Sequence, residues 1–217
     1  VYYAITQLDK KAREQLIALT ILIVFTIIFW ALFEQAYTSL NLFADRILDR
    51  TVLGYTITAS QFLSFNALFI ILLAPVFAWL WVKLGKYNPN TAVKFSIALL
   101  LVGLGFGSLV LGISLSGMGK VAMIWLILTY LLHTCGELCL SPVGLSAVTK
   151  LSPAKIVGFM MGVWFLATAS SEFIASILAN IASVYLFYTG LGFGLLLLVL
   201  SPIIKKLMHG VDKELNN

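Results

Sequence analysis

Long apolar runs with few charged residues alternate with short polar segments along the chain. Crossing the roughly 30 Å of hydrocarbon in a bilayer takes about 20 apolar residues in a helix. Six runs reach that length, and we predict membrane-spanning helices at about residues 15–43, 57–82, 93–115, 121–149, 155–181 and 184–204. The uncharged run around the second span already starts at Thr51, so its first residues are expected to form an outer loop. The pattern therefore predicts an all-α membrane protein with six transmembrane helices.

The basic residues fall almost entirely on one side of the predicted membrane. With the N-terminus inside, 11 of the 14 lysines and arginines lie in inner segments, and only Arg46, Arg50 and Lys120 lie in outer ones. Cytoplasmic loops are enriched in Lys and Arg, so both termini are predicted to be cytoplasmic. The expected regions are a cytoplasmic linker at 1–14, a six-helix transmembrane bundle at 15–204 and a cytoplasmic tail at 205–217.

Composition supports the membrane class and argues against other classes. The chain is 61% hydrophobic and 11% charged, whereas soluble domains carry about 25% charged residues. The net charge of +5 is explained by basic cytoplasmic loops, and no basic face with interleaved aromatics predicts nucleic-acid binding. Cys135 and Cys139 lie deep in one span without a second ligand pair, so they are interpreted as packing residues. The chain begins at Val1 without a signal-peptide pattern and is expected to continue an upstream part.

Glu137 is an acid at the depth where a bilayer would be thickest. It lies 17 residues after Lys120 and 13 before Lys150, or roughly 20–25 Å from each along a helix axis. An ionised acid there costs at least about 2.5–3.5 kcal/mol, and such residues are usually functional. Glu34 ends the uncharged stretch of the first span in the same way. One hypothesis is a structural acid; the favoured one is a site that exchanges protons or holds a substrate ammonium.

Other polar and aromatic residues accompany these two acids. His133, Glu137 and Ser141 are spaced four apart and are predicted to share one helix face. Trp30 and Trp164 lie too far from the predicted membrane edges to belong to an aromatic belt, so they are interpreted as cavity walls. His133 is interpreted first as a packed hydrogen-bond donor, and Glu172 as an acid that snorkels or caps its helix.

Four segments in this order resemble the proton-dependent oligopeptide transporter family of the major facilitator superfamily. They are FWALFEQAYTSLNLFADR (29–46), QFLSFNALFIILLAPVFAWLW (61–81), GELCLSPVGLSAVTKLSP (136–153) and GFMMGVWFLATA (158–169). The resemblance covers about residues 16–182 and implies the C-terminal bundle, helices 7–12, of a twelve-helix transporter. It also implies an N-terminal six-helix half as partner and a location in the lipid bilayer of the bacterial inner membrane.

The resemblance further implies roles for individual residues. Glu34 matches an acid involved in proton coupling and the outer gate, and Glu137 matches an acid that binds the peptide amino terminus and pairs with the other half. Four further residues match positions that line the cavity around the peptide: Trp30, Asn66, Ser141 and Trp164. In the family a proline usually follows the asparagine that Asn66 matches, whereas Ala67 follows it here. This difference concerns local helix geometry only.

The implied function is proton-driven symport of di- and tripeptides by alternating access, with protons as coupling ion and no cofactor. Two alternatives stay open at this point: a proton-coupled transporter of another substrate, such as nitrate or a drug, and a non-transporting membrane scaffold half. An enzyme is not predicted, because no nucleophile, metal cluster or second base is expected near either acid.

Overall fold

In a computed structural model that describes residues 8–211, six helices are long and apolar enough to cross a membrane. With one shorter helix, they are α1 (Lys10–Phe33), α2 (Ser39–Arg46), α3 (Ser64–Leu84), α4 (Thr91–Ser116), α5 (Met123–Leu151), α6 (Val157–Leu178) and α7 (Ser183–Leu207). The prediction of an all-α membrane protein is confirmed. The outer parts of the predicted linker and tail, residues 1–7 and 212–217, lie outside the described residues.

The helices extend beyond the apolar runs that predicted them. The first helix starts at Lys10 rather than at about residue 15, because the carboxylate of Asp9 caps it by accepting a 3.0 Å hydrogen bond from the backbone N–H of Ala12. The last helix continues through Lys205 and Lys206 to Leu207. Charged residues thus occupy the ends of these helices, where hydropathy alone places no helix.

Short segments connect the helices at one end of the bundle. β1 (Leu48–Asp49) pairs in parallel with β4 (Val121–Ala122), and β2 (Thr51–Val52) forms an antiparallel hairpin with β3 (Tyr55–Thr56). A 3₁₀ turn at Ala59–Leu63 then leads into α3. The long apolar run that starts at Thr51 therefore begins as a hairpin loop, as its length predicted.

The centre of the bundle is α4, which packs closely against α5 and α7. A Cβ atom built on Gly103 would lie 2.9 Å from the backbone nitrogen of Leu191. The two backbones therefore touch, as small residues allow in membrane helices. In contrast, no residue of α3 is buried, and most of α6 is exposed. These two helices lie at the edge of the bundle, and a cavity opens between them.

Candidate functional site

A cavity of about 760 Å³ lies between α1, α3, α5 and α6. This volume is within the range of sites that hold small molecules. Most of its wall is apolar, from alanine, phenylalanine, leucine and proline side chains. Its acidic, hydroxyl and indole residues are Trp30, Glu34, Trp81, Ser141, Trp164, Thr168, Ser171 and Glu172.

Glu34 lies at the cavity wall, in a break that follows the end of α1. The α-helix ends at Phe33, and Glu34–Ala36 form a 3₁₀ turn before α2 begins. The fully buried side chain of Gln35 holds this turn: its Nε2 donates to the carbonyl of Ala31 (3.1 Å) and to that of Ala175 on α6 (2.9 Å). Side-chain bonds of this kind compete with regular helix. The first span was predicted as one run, and the structure divides it here.

The acceptor oxygen of Gln35 is used as well. It receives hydrogen bonds from the hydroxyls of Thr38 (3.1 Å) and Ser39 (2.9 Å), at the start of α2. A single buried amide thus connects α1, α2 and α6. Because Gln35 is directed into the protein, the neighbouring Glu34 remains at the cavity wall.

Trp30 and Ser141 contribute unpaired polar atoms at this cavity. The Trp30 ring packs edge-on against Phe29 and Phe33, with centroids 5.4 and 5.1 Å apart. Within residues 8–211, neither the Trp30 indole N–H nor the Ser141 hydroxyl has a hydrogen-bond partner. Buried polar groups are normally paired, so these two atoms are exceptions, although both are closed to solvent within the cavity wall. Pro142, beside Ser141, has no N–H and frees the carbonyl of Leu138 at the same wall.

Trp164 fits into a gap that Gly144 leaves on α5. Its side chain is only 4% exposed, and a Cβ atom on Gly144 would overlap its indole ring. The glycine is therefore needed for α6 to present this tryptophan to the cavity. This placement agrees with a wall residue rather than with a residue at the membrane surface.

Asn66 and Glu137 form a separate polar contact between α3 and α5. The Asn66 amide nitrogen donates to Glu137 Oε2 (3.1 Å) and to the Thr134 hydroxyl (3.0 Å). The Thr134 hydroxyl in turn donates to the Tyr130 carbonyl, 2.8 Å away. The predicted site residues therefore fall in two groups, since the other four line the cavity and this pair does not.

The predicted common face of His133, Glu137 and Ser141 is divided in the structure. The buried His133 Nε2 lies 3.2 Å from the Val102 carbonyl on α4, and its ring packs against Phe106. Residues four apart are offset by about 40° around a helix, so the three side chains turn toward different neighbours. His133 therefore packs α5 against α4, in agreement with its interpretation as a packed residue.

Lys94 is a basic residue that the structure buries near one end of a membrane-spanning helix. It lies in the first turns of α4, is 3% exposed, and its Nζ lies 4.6 Å from the centre of the Trp81 ring. This cation–π contact stabilises the buried ammonium group. The sequence assigned Lys94 to an inner segment because it stands close to the predicted membrane edge.

Glu172 is a cavity residue that sequence interpretation did not identify. It was interpreted as snorkelling or capping, but it lines the cavity together with Thr168 and Ser171 of α6. Its spacing offered a signal: Trp164, Thr168 and Glu172 follow one another at intervals of four and share a helix face. The described residues contain no group of three or more His, Cys, Asp or Glu that could hold a metal ion.

The fold and the cavity define a multi-pass, all-α membrane protein with a ligand-sized space between its helices. Residues 1–189 match the profile of the POT family (PTR2), and the chain belongs to this family. The family resemblance inferred from the four sequence segments is thereby confirmed.

Two of the similar proteins are named as transporters. The chain is 40% identical over 214 residues to "Uncharacterized transporter YclF" of Bacillus subtilis (94% of this chain, 43% of that protein). It is 41% identical over 183 residues to "Peptide transporter YePEPT" of Yersinia enterocolitica (82% and 36%). The chain thus spans less than half the length of these relatives.

Solved structures of POT family transporters share the fold of this chain. A crystal structure of peptide transporter POT in complex with sulfate superposes with a TM-score of 0.86 at 42% identity, covering 92% of this chain and 42% of that one. A POT family transporter in complex with 5-aminolevulinic acid gives a TM-score of 0.83 at 34% identity (90% and 43%). The bundle described above therefore corresponds to part of each of these transporters.

Proposed function

We propose that this chain is the C-terminal six-helix half, helices 7–12, of a major facilitator superfamily transporter that imports di- and tripeptides with protons. The observation that carries the proposal is the cavity of about 760 Å³, whose wall includes the acid Glu34 and the aromatic residues Trp30 and Trp164. Relatives named as peptide transporters support the substrate class.

Glu34 is the residue to which we assign proton coupling. A proton arriving from outside would neutralise its carboxylate, release an ion pair with the partner half at the outer gate, and shift the equilibrium between outward- and inward-open states. A membrane potential of 100 mV is worth about 2.3 kcal/mol per charge, which is sufficient to bias such an equilibrium. The break in α1 next to Glu34 is suited to this role, since a turn can adjust more readily than a continuous helix.

The peptide ammonium is assigned to Glu137. Asn66 orients this carboxylate through Oε2, and the ammonium would bind Oε1. Ser141, four residues later on α5, would then face the peptide backbone, with Trp30 and Trp164 beside its side chains. The peptide carboxylate needs a cation, which we assign to the partner half.

The partner half would also cover the edge helices α3 and α6. A helix without a single buried residue, such as α3, requires either lipid or protein around it, and the cavity lies on this side of the bundle. We place the protein in the bacterial inner membrane with both termini cytoplasmic, as the distribution of Lys and Arg indicates.

A second candidate is import of another small amine-bearing substrate. It is favoured by the structural relative solved with 5-aminolevulinic acid. A scaffold without transport is less well supported, because a packing surface needs no acid-lined cavity.

Uptake of labelled Ala-Ala into proteoliposomes containing the complete transporter tests the proposal. With an acidic exterior, accumulation inside should exceed the external concentration and disappear when a protonophore is added. Unlabelled dipeptides should compete with the label. Equal uptake with and without the gradient would contradict proton coupling. Absence of Ala-Ala uptake, together with gradient-driven uptake of labelled 5-aminolevulinic acid, would favour the second candidate.

A further inference from the structure

Glu172 is an acid of the cavity to which the proposed mechanism gives no role. It lies on α6 two turns beyond Trp164, and the same cavity contains Glu34. No lysine, arginine or histidine is among the described residues that line this space. A substrate in the cavity therefore meets two carboxylates. Glu34 is assigned to proton coupling, and Glu172 has no basic residue beside it among the described residues of the cavity wall.

The walls near these acids suit a positively charged group. Three indole rings line the cavity, from Trp30, Trp81 and Trp164, and the faces of tryptophan rings attract ammonium and guanidinium groups. The Trp81 ring already makes such a cation–π contact with Lys94. The cavity thus combines carboxylate and aromatic surfaces, which is the chemistry that binds organic cations.

Independent of these charges, polar atoms at the wall lack partners. The indole nitrogens of Trp30 and Trp81 and the hydroxyl of Ser141 have no hydrogen-bond partner in the described part of the chain. Buried polar groups that stay unpaired are rare in native proteins. Because these three atoms are closed to solvent, a polar group of a substrate would pair with them only after the surrounding side chains move.

We propose that Glu172 is a specificity-determining residue that makes the cavity favour peptides with a lysine or arginine side chain. The inference rests on the proposed function, in which Glu137 holds the peptide amino terminus. The helices α5 and α6 run antiparallel and meet where Gly144 contacts Trp164. Glu137 lies seven residues before Gly144, or about 10 Å along α5, and Glu172 lies eight residues after Trp164, or about 12 Å along α6, so the two acids are at similar depth. Two extended residues span about 7 Å, and a dipeptide bound at Glu137 can therefore extend its second side chain across the cavity toward Glu172.

Two peptides of similar length separate charge from size: Ala-Lys and Ala-acetyl-lysine, in which acetylation removes the side-chain charge. Inhibition constants against labelled Ala-Ala are measured for the complete transporter and for Glu172→Gln. The unmodified protein should bind Ala-Lys about tenfold more tightly, which corresponds to about 1.4 kcal/mol. In Glu172→Gln the ratio of the two constants should approach one.

Asp49→Asn is the matched control, because it also removes one acidic charge. Asp49 lies in β1, outside the cavity lining, and its oxygen accepts from the Thr51 N–H, a bond that asparagine can keep. This variant should retain the preference for Ala-Lys. Loss of the preference in Asp49→Asn would overturn the assignment to Glu172 and indicate a general effect of surface charge.

The two proposals fail in distinguishable ways. Ala-Ala uptake driven by the gradient, together with no preference for Ala-Lys, would overturn the role of Glu172 and leave peptide transport intact. A preference that persists in Glu172→Gln would overturn it as well. If uptake is absent in either protein, equilibrium binding of the two peptides to the purified protein measures the same ratio and decides the role of Glu172.

Discussion

Gln35 at the break of the first span donates a 2.9 Å hydrogen bond to the backbone carbonyl of Ala175 on α6. The two residues are 140 positions apart in the chain, and the contact is fully buried at the glutamine. It connects the turn that carries Glu34 to the helix that carries Glu172. The positions of the two cavity acids therefore depend on one amide that does not itself line the cavity.

Gln35→Ala is expected to lower both stability and coupling. Removing a buried amide that makes four hydrogen bonds leaves its partners unpaired, which costs on the order of 1–3 kcal/mol. Thermal unfolding of the purified protein should show the loss, and gradient-driven peptide accumulation should fall because Glu34 is less well placed. Gln15→Ala is the control, since Gln15 makes a longer, 3.4 Å bond to the Met208 carbonyl away from the cavity. Equal effects of both variants would contradict a positioning role for Gln35.

Glu34→Gln should abolish proton-driven accumulation. Glutamine resembles the protonated acid in shape but cannot release a proton. A potential of 100 mV, worth about 2.3 kcal/mol per charge, supports roughly 50-fold accumulation, since each 1.4 kcal/mol is a factor of ten. In the variant the ratio of internal to external peptide should stay near one. Exchange of labelled for unlabelled peptide, which needs no net proton movement, should be reduced less. Unchanged accumulation in both Glu34→Gln and Glu137→Gln would rule out the roles assigned to these acids.

The number of spans could be predicted from the sequence because length and hydropathy are properties of consecutive residues. Glu34 and Glu137 could be identified for the same reason, because a charged residue within a long apolar run can be recognised from the sequence without knowing how the helices pack. The break after Phe33 was not predictable, because it depends on the long-range bond from Gln35 to Ala175.

The composition of the cavity required the packing of helices against one another. Spacing suggested a common face for His133, Glu137 and Ser141, yet each meets a different neighbour because α4, α3 and α6 surround α5 on separate sides. Similarly, Glu172 could not be assigned to the cavity before the rotation of α6 relative to α1 was known. Periodicity defines a face of one helix but not the helix opposite.

Asn66→Leu should weaken peptide binding. The substitution keeps a side chain of similar size but leaves Glu137 without its 3.1 Å donor. Hydrogen bonds to charged groups contribute about 1.5–3 kcal/mol, so the KM for Ala-Ala should rise about tenfold or more. Initial rates of uptake over a range of peptide concentrations would measure it. Asn180→Ala, at an exposed amide near the end of α6, should leave KM unchanged; an equal rise in both variants would contradict the role of the Asn66–Glu137 contact.

Gly144→Ala should disturb the cavity through Trp164. The added methyl group would overlap the indole ring and would lie 3.1 Å from the Phe95 ring, so the tryptophan must shift from its place in the cavity wall. Overpacking of this kind typically costs 1–3 kcal/mol and would narrow the space for the substrate. Lower thermal stability and a raised KM for bulky dipeptides are expected together. Gly162→Ala is the control on α6, where a Cβ atom meets nothing within 4 Å, and there alanine should be neutral or slightly stabilising through its higher helix propensity. If Gly144→Ala behaves like Gly162→Ala in both measurements, the tryptophan is not held in place by this glycine, and Trp164 must reach the cavity wall by another constraint.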